Sequence, residues 1–277
     1  MVPEQLPLAK RVVLRALETA GVAPQLMDGR DRARYALDRE TRQRNARFTA
    51  PDGMPMPPAH LIHKVVGHFD YDVFYRGGET RFAYLQEVIR RGGASLQMPA
   101  AVLDWGCGSG RVLRQWRQLD GVQVYGSDYN PDLVAWCREA FAFARLSTNG
   151  LAPPLAFPDD CFDFLYGISV FTHLDEPLQI PWIEELRRVV KPGGLILVTV
   201  NGVVGSRDLV GAERERFDAG QLVVIGEQFQ GRNYCAVVHP DAYVRKVLGR
   251  DLEVLAVVPA SDPEFDHGQD GYLLRVP

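Results

Sequence analysis

Cysteine is scarce in this chain: the four residues Cys107, Cys137, Cys161 and Cys235 lie scattered through 277 positions, with no C-x-x-C pair. That spacing excludes a zinc ribbon and a disulfide framework, and it fits a reducing cytoplasm. No apolar run approaches the roughly 20 residues of a membrane helix, and the first residues lack the apolar core of a secretory signal. No membrane partner is expected. Basic charge is not in excess either. Lys and Arg number 31 against 35 Asp and Glu, for a net charge of −4, so no overall field draws the chain to nucleic acid. No internal repeat stands out. What remains is an ordinary globular composition, 46% hydrophobic and 24% charged, in a chain long enough to bury a large core.

The chain is organised around Ala101-Val102-Leu103-Asp104-Trp105-Gly106-Cys107-Gly108-Ser109-Gly110-Arg111. Its apolar start reads as a parallel strand buried on both faces, ending on a carboxylate. Gly106, Gly108 and Gly110 remove side chains where backbone must bend sharply or lie against a ligand. Val112, Leu113, Trp116 and Leu119 then recur at helical spacing, so the turn is expected to deliver free amides at a helix N-terminus. A dinucleotide fingerprint, G-x-G-x-x-G, would need its third glycine at position 111, which is Arg111. Asp104 would repel a pyrophosphate and suits a ligand that carries an ammonium group.

This D-x-G-x-G-x-G segment resembles motif I of the class I S-adenosylmethionine-dependent methyltransferases. From position 100 onward strands and helices alternate, as a parallel sheet with right-handed crossovers requires. Strand two, Val122 to Ser127, ends on Asp128, about 20 positions beyond the glycine turn, where such folds bind ribose hydroxyls. Asn130 and Pro131 then open a helix. The stretch Ser147 to Asp163, with its P-x-x-x-F-D turn, resembles the family segment that meets adenine, which implies Asn149 and Gly150 beside the ring. R-R-V-V-K-P-G-G-L-I-L-V-T-V, ending at Val200, is a structural family signature.

The resemblance covers roughly Leu85 to Pro277. It implies a Rossmann-like α/β fold: a seven-stranded, mostly parallel sheet with an antiparallel last strand, plus an N-terminal helical accessory region. The expected organisation is residues 1–78 as a helical or lid region and 79–277 as the methyltransferase core, with an insertion at 201–238. Helices are expected at Glu79 to Arg91, opened by Gly77-Gly78 and closed by Gly92-Gly93, at Pro181 to Val190, and at Pro240 to Leu248. Further strands are expected at Phe162 to Tyr166, Leu195 to Val200, Leu252 to Val258 and Gly271 to Val276. The insertion shows little periodicity, and loops of that length are usually functional or mobile.

The N-terminal region reads as a short helix carrying Leu8, Val12, Leu14 and Leu17, then seven arginines between Arg30 and Arg47. Without aromatic or glycine interleaving, these read as a solvated helix laced by pairs such as Asp38–Arg42 and Glu40–Arg44, not as a nucleic-acid surface. Pro51 to Pro58 is an extended linker. His60, His63 and His68 lack the carboxylate or cysteine that would complete a metal site. The aromatic segment Phe69, Tyr71, Phe74 and Tyr75 is expected to cover the ligand.

The resemblance implies S-adenosylmethionine as cofactor. Asp104, Gly106, Cys107, Gly108 and Gly110 would hold its methionine end, with Gly167 offering a backbone carbonyl and Val170 lining the site. Asp128 and Tyr129 would hold the ribose side, and Asn149, Gly150 and Leu151 the adenine side. His173 follows strand four, at the carboxyl rim where α/β sheets place chemistry, and neutral imidazole there accepts a proton near pH 7. His173, with Tyr75 as second candidate, is assigned to orient or deprotonate the acceptor; His239, His267 and Asp270 are weighed and read as structural. GISVFTHL and the closing Q-D-x-x-L-L-R resemble bacterial methyltransferases of sugars and secondary metabolites. The expected acceptor is therefore a hydroxyl or amine of a small molecule. A non-catalytic cofactor-binding module and a nucleic-acid methyltransferase are the alternatives, and the N-terminal helices are read as a lid or a homodimer contact.

Overall fold

The computed structural model describes residues 23–226, 231, 235–263 and 268–277. The expected helix around Leu8 to Leu17, the residue His267 and part of the insertion lie outside them. The chain divides into two compact units, Met1–Gly77 and Gly78–Pro277.

In the first unit the arginine-rich stretch forms two helices, α1 (Ala23–Leu37) and α2 (Arg39–Arg47). The expected Asp38–Arg42 pair gives way to a cap: Asp38 accepts from the Thr41 amide at 3.0 Å and separates the helices. Arg44 does pair with Glu40, at 2.7 Å. Asn45 clamps α2 from its buried face, donating to Phe69 O and accepting from Tyr71 N. After α3 (Ala59–Val66), the three histidines part company. His60 meets Arg32, His63 pairs with Asp31 at 3.1 Å while stacking on Phe69, and His68 accepts from the Asp70 amide.

Helix α4 (Tyr71–Arg91) begins eight residues before the expected Glu79 and runs through Gly77-Gly78. Asp70 starts it by accepting from the Val73 amide, so the glycines are not a boundary. Gly78 is needed for another reason: a Cβ there would overlap the Arg111 carbonyl. The end falls as expected, with Gly93 at φ +64° and the Ala94 amide reaching back to Ile89 O.

The second unit is built on β1 (Ala100–Trp105), β2 (Val122–Asp128), β3 (Ala144–Thr148), β4 (Phe162–Gly167), β5 (Val190–Val200), β8 (Glu253–Val258) and β9 (Asp270–Arg275), in the spatial order β3-β2-β1-β4-β5-β9-β8. The first five pair in parallel, and β9 runs antiparallel to both β5 and β8. Sheet order reverses between β1 and β4, so the carboxyl ends of these strands face a switch point. Helix α5 (Pro131–Ala140) is capped by Asn130 as expected, its side chain accepting from Asp132 N. Helix α6 (Glu176–Val189) starts earlier than the expected Pro181, because Asp175 caps it and Pro181 is tolerated inside. The core is dense with aromatics: Trp105 packs against both Phe171 and Trp182, and Trp116 against Phe82 and Tyr166.

Two segments differ from expectation. The stretch after the glycine turn is a six-residue 3-10 helix, Leu113–Gln118, in place of an α-helix. The insertion is partly ordered: α7 (Gly211–Asp218) packs Phe217 with Leu209, Val223 and Val238, and β6 (Val223–Ile225) pairs antiparallel with β7 (Ala236–Val238). The expected Pro240–Leu248 helix is one α-turn, Asp241–Tyr243, running into π-helical Val244–Leu248.

Candidate functional site

The glycine turn is held by its own amides. Gly106 N and Cys107 N donate to Ser127 O at 2.7 and 3.0 Å, Gly110 N donates to Cys107 O, and Gly108 N donates to Asp128 Oδ2 at 2.8 Å. Three of the turn's amides, those of Gly106, Cys107 and Gly108, are therefore spent on fixing it to the end of β2. The 3-10 helix that follows is too short to present a strong dipole, which disfavours a pyrophosphate. Gly106 (φ +76°), Gly108 (φ +56°) and Gly110 (φ +80°) all occupy the left-handed region. A Cβ at Gly106 would overlap Val170, and one at Gly110 the Phe141 ring. Cys107 is buried beneath the turn beside Cys137, whose thiol donates to Gly108 O at 3.4 Å; burial and that neighbour hold the Cys107 thiol well above its usual range.

Two acidic side chains stand at the ends of adjacent strands. Asp104 is buried at the end of β1, and burial pushes its carboxyl up to about 7, against hydrogen bonds from Tyr166 and the Leu113 amide. Tyr166 itself accepts from Trp116 Nε1 at 2.9 Å, so β4 and the 3-10 helix aim its hydroxyl. Arg111 lies beside Asp104, and burial with the nearby Arg81 lowers its guanidinium to about 10. Asp128, at the end of β2, accepts from Gly108 N and Asn130 N, one on each oxygen; burial raises its carboxyl. Each carboxylate oxygen retains capacity for a second donor.

Beyond Asp128 the wall becomes apolar. Tyr129 and Leu151 are 36% and 39% exposed, and Gly231 sits so close between them that a Cβ would overlap Leu151 and touch the Tyr129 ring. Asn149 is drawn in by three bonds: its amide donates to Asp128 O, Ser127 Oγ donates to its Oδ1, and its Nδ2 donates to Gly150 O. Trp182 Nε1 fixes Leu151 through its carbonyl at 2.8 Å. Gly167 closes β4 against Trp105, where a Cβ would overlap the indole.

His173 ends a short 3-10 turn, Phe171–His173. Its Nδ1 lies 2.6 Å from Cys235 O, and a carbonyl only accepts, so Nδ1 carries the proton and Nε2 the lone pair. Desolvation lowers its pKa, which keeps the ring neutral near pH 7. Its carbonyl accepts from Gly231 N, tying this turn to the Tyr129–Leu151 wall. His239 is wholly buried against Gln179, and burial drives it down to about 3. Asp270 accepts from Ala260 N and leaves no room for a Cβ at Gly202. Both are structural. Tyr75 belongs to the first unit, buried with its ring 6.1 Å from Phe48.

The second unit thus gathers Asp104, Gly106, Cys107, Gly108, Gly110, Asp128, Tyr129, Asn149, Gly150, Leu151, Gly167, Val170 and His173 at the carboxyl ends of β1 to β4. The sequence reading gives Tyr166, Arg111, Ser127 and Trp182 no role at the site; their contacts appear only once the turn, the strands and helix α6 are packed together. Among the described residues no group of three metal-ligating side chains occurs, and no helix is long and apolar enough to cross a membrane.

Residues 103–198 match the family model described as a methyltransferase domain. A malonyl-[acyl-carrier protein] O-methyltransferase of Pectobacterium atrosepticum is 36% identical over 126 residues, 43% of this chain and 47% of that protein. A ubiquinone/menaquinone biosynthesis C-methyltransferase of Bordetella avium is 33% identical over 153 residues, 50% of this chain and 55% of that protein. The chain spans about half the length of the curated relatives it matches. A SAM-dependent methyltransferase structure from Aquifex aeolicus shares the fold with a TM-score of 0.52, covering 80% of this chain and 100% of that one at 18% identity. Residues 103–198 thus match a methyltransferase domain, set in a sheet whose fold is shared with a SAM-dependent methyltransferase structure.

Proposed function

We propose that this chain transfers a methyl group from S-adenosylmethionine to a hydroxyl of a small organic acceptor. The observation that carries the cofactor reading is Asp104, a buried carboxyl beside a bare glycine turn, which burial pushes up to about 7 even with the Arg111 guanidinium near it. Such a group calls for a cation, and an amino-acid ammonium supplies one. Arg111 would meet the carboxylate of the same ligand, Asp128 the ribose hydroxyls with its remaining lone pairs, and Tyr129 and Leu151 the faces of the adenine.

When bound, the cofactor supplies an electrophilic methyl on a sulfonium that already leaves readily. The chain's own task is alignment, which for well-held reactants contributes several kcal/mol. His173 adds a general base for a hydroxyl acceptor: its tautomer is fixed by Cys235 O and its ring is neutral, so Nε2 is ready to take a proton. That step is worth roughly 10²- to 10⁴-fold. An amine acceptor would need it less. The relatives named above methylate oxygen in one case and carbon in the other, so the atom methylated here is part of the proposal.

The test uses methyl-labelled S-adenosylmethionine with a panel of small hydroxyl acceptors (sugars, phenols and hydroquinones), and reads methoxy against C-methyl or N-methyl carbon in the product. Methoxy product, reduced at least a hundredfold in His173→Ala with unchanged S-adenosylhomocysteine affinity, is the expected result. Undiminished turnover in that variant removes His173 from the mechanism. Label found on carbon or nitrogen overturns the acceptor assignment.

A further inference from the structure

We infer that Gln269 is the positioning residue for His173, acting through Ser169 and Asn201. Ser169 follows β4 with φ +63°, a left-handed conformation that a non-glycine residue holds only when its surroundings enforce it. The enforcement is a closed set of hydrogen bonds. Ser169 N donates to Thr199 Oγ1 at 2.8 Å, Thr199 Oγ1 donates to Gln269 Oε1 at 2.8 Å, and Gln269 Nε2 donates to Ser169 Oγ at 2.8 Å. Thr172 Oγ1 gives its only proton to Ser169 O at 2.6 Å, so Ser169 Oγ must donate to Thr172 Oγ1. Ser169 Oγ is then left to accept from its other side, and among the described residues the Gln269 amide nitrogen stands there at 2.8 Å. This fixes which way the Gln269 side chain points.

The second proton of Gln269 Nε2 reaches Asn201 Oδ1 at 3.3 Å, and Asn201 Nδ2 donates to Val237 O on β7. Two residues before Val237 is Cys235, whose carbonyl holds His173 Nδ1. One amide thus braces both sides of the His173–Cys235 bond: the turn that carries the imidazole, and β7, which begins one residue after Cys235. Ser169, the Thr199–Asn201 end of β5 and Gln269 come from three separate stretches of chain, and none belongs to the cofactor-binding set.

The inference takes from the functional proposal only that His173 serves the acceptor. Its test needs no acceptor, so the two fail separately. The measurement is nitrogen-15 NMR of the His173 ring in the full chain saturated with S-adenosylhomocysteine, assigned by loss of the signal in His173→Gln. In the unaltered chain the ring should be protonated on Nδ1. Gln269→Met, which keeps volume and removes both hydrogen-bonding functions, should shift the tautomer ratio about tenfold toward Nε2–H, the effect of losing one neutral hydrogen bond. Gln269→Glu should do at least as much at neutral pH, since it places a carboxylate against Ser169 Oγ and Asn201 Oδ1. Thr199→Val, close to the shape of threonine, should give the same shift. Adding Ser169→Gly to Gln269→Met should restore the turn's share of the shift, because glycine holds φ +63° without a clasp, while the Asn201 side stays unbraced. An unmoved tautomer ratio in Gln269→Met and Thr199→Val, or no restoration at all by glycine, overturns the inference.

Discussion

Asp104 makes cofactor affinity depend on pH in a direction and window that follow from its surroundings. Four groups face its carboxyl: the Tyr166 hydroxyl, the Leu113 amide and the Arg111 guanidinium favour the charged form, while Asp128 opposes it. Burial outweighs the favourable three and pushes the pKa up to about 7. An ammonium ligand requires the carboxylate, so binding must drive off whatever proton the free protein carries. With a pKa near 7, the free carboxyl is about half ionised at pH 7, about a tenth at pH 6 and about a hundredth at pH 5. The affinity for S-adenosylhomocysteine should therefore fall about fiftyfold from pH 7 to pH 5. The ligand's own ammonium and carboxylate keep their charges over that range, and Asp128, also raised by burial, changes in the same direction. Calorimetry at pH 6 in buffers of different ionisation enthalpy should show nearly one proton released per ligand bound. Asp104→Asn should bind about 10- to 100-fold more weakly at pH 7, the loss of a charged hydrogen bond, and lose most of the pH dependence. A wild-type affinity that is flat between pH 5 and 7, or an Asp104→Asn variant that binds as tightly, would refute the reasoning.

Other consequences are narrower. Gly193→Ala, at φ +77° with open space around it, should lower stability by about 1–2 kcal/mol from backbone strain alone. Gly110→Ala, at φ +80° against Phe141, should lose a further 1–3 kcal/mol or so by overpacking, visible as the earlier midpoint in paired urea titrations. Equal midpoints would mean the ring moves aside freely. Arg42→Ala on the exposed side of α2 should change stability by less than about 0.5 kcal/mol and leave turnover intact, as a solvated helix face implies; a loss of activity would turn attention to that face as a binding surface. Trp182→Phe, which keeps the stacking on Trp105 but loses the bond to Leu151 O, should weaken S-adenosylhomocysteine binding by about tenfold, and unchanged calorimetric affinity would detach Leu151 from the adenine.

How far the sequence speaks depends on whether the determinant is local. The strand, the glycine turn, Asp128 with its Asn130-Pro131 cap and the closing antiparallel strand are each written in a few consecutive residues, and each stands where expected. The helix after the turn differs from the expected α-helix: Leu113, Trp116 and Leu119 recur every three residues, the period of the 3-10 helix that forms. Gly77-Gly78 look like a helix boundary, yet Gly78 answers to a carbonyl that arrives from position 111. Strands β6 and β7 are three residues each, too short to show a period, and exist through pairing across the ten residues between them. The Ser169–Thr199–Gln269 circuit joins three separate motifs across a hundred positions, and that they meet is visible only once β4, β5 and β9 lie side by side.

The central claim is that the turn from Asp104 to Gly110 with Asp128 holds S-adenosylmethionine. Calorimetric titration with S-adenosylhomocysteine and, separately, with NADH, on the wild type and on Asp128→Ala, tests it most directly. The account predicts binding of S-adenosylhomocysteine alone, weakened at least tenfold in Asp128→Ala, where the ribose partner and the Gly108 brace are lost together. Binding of NADH, or of neither ligand, would contradict it.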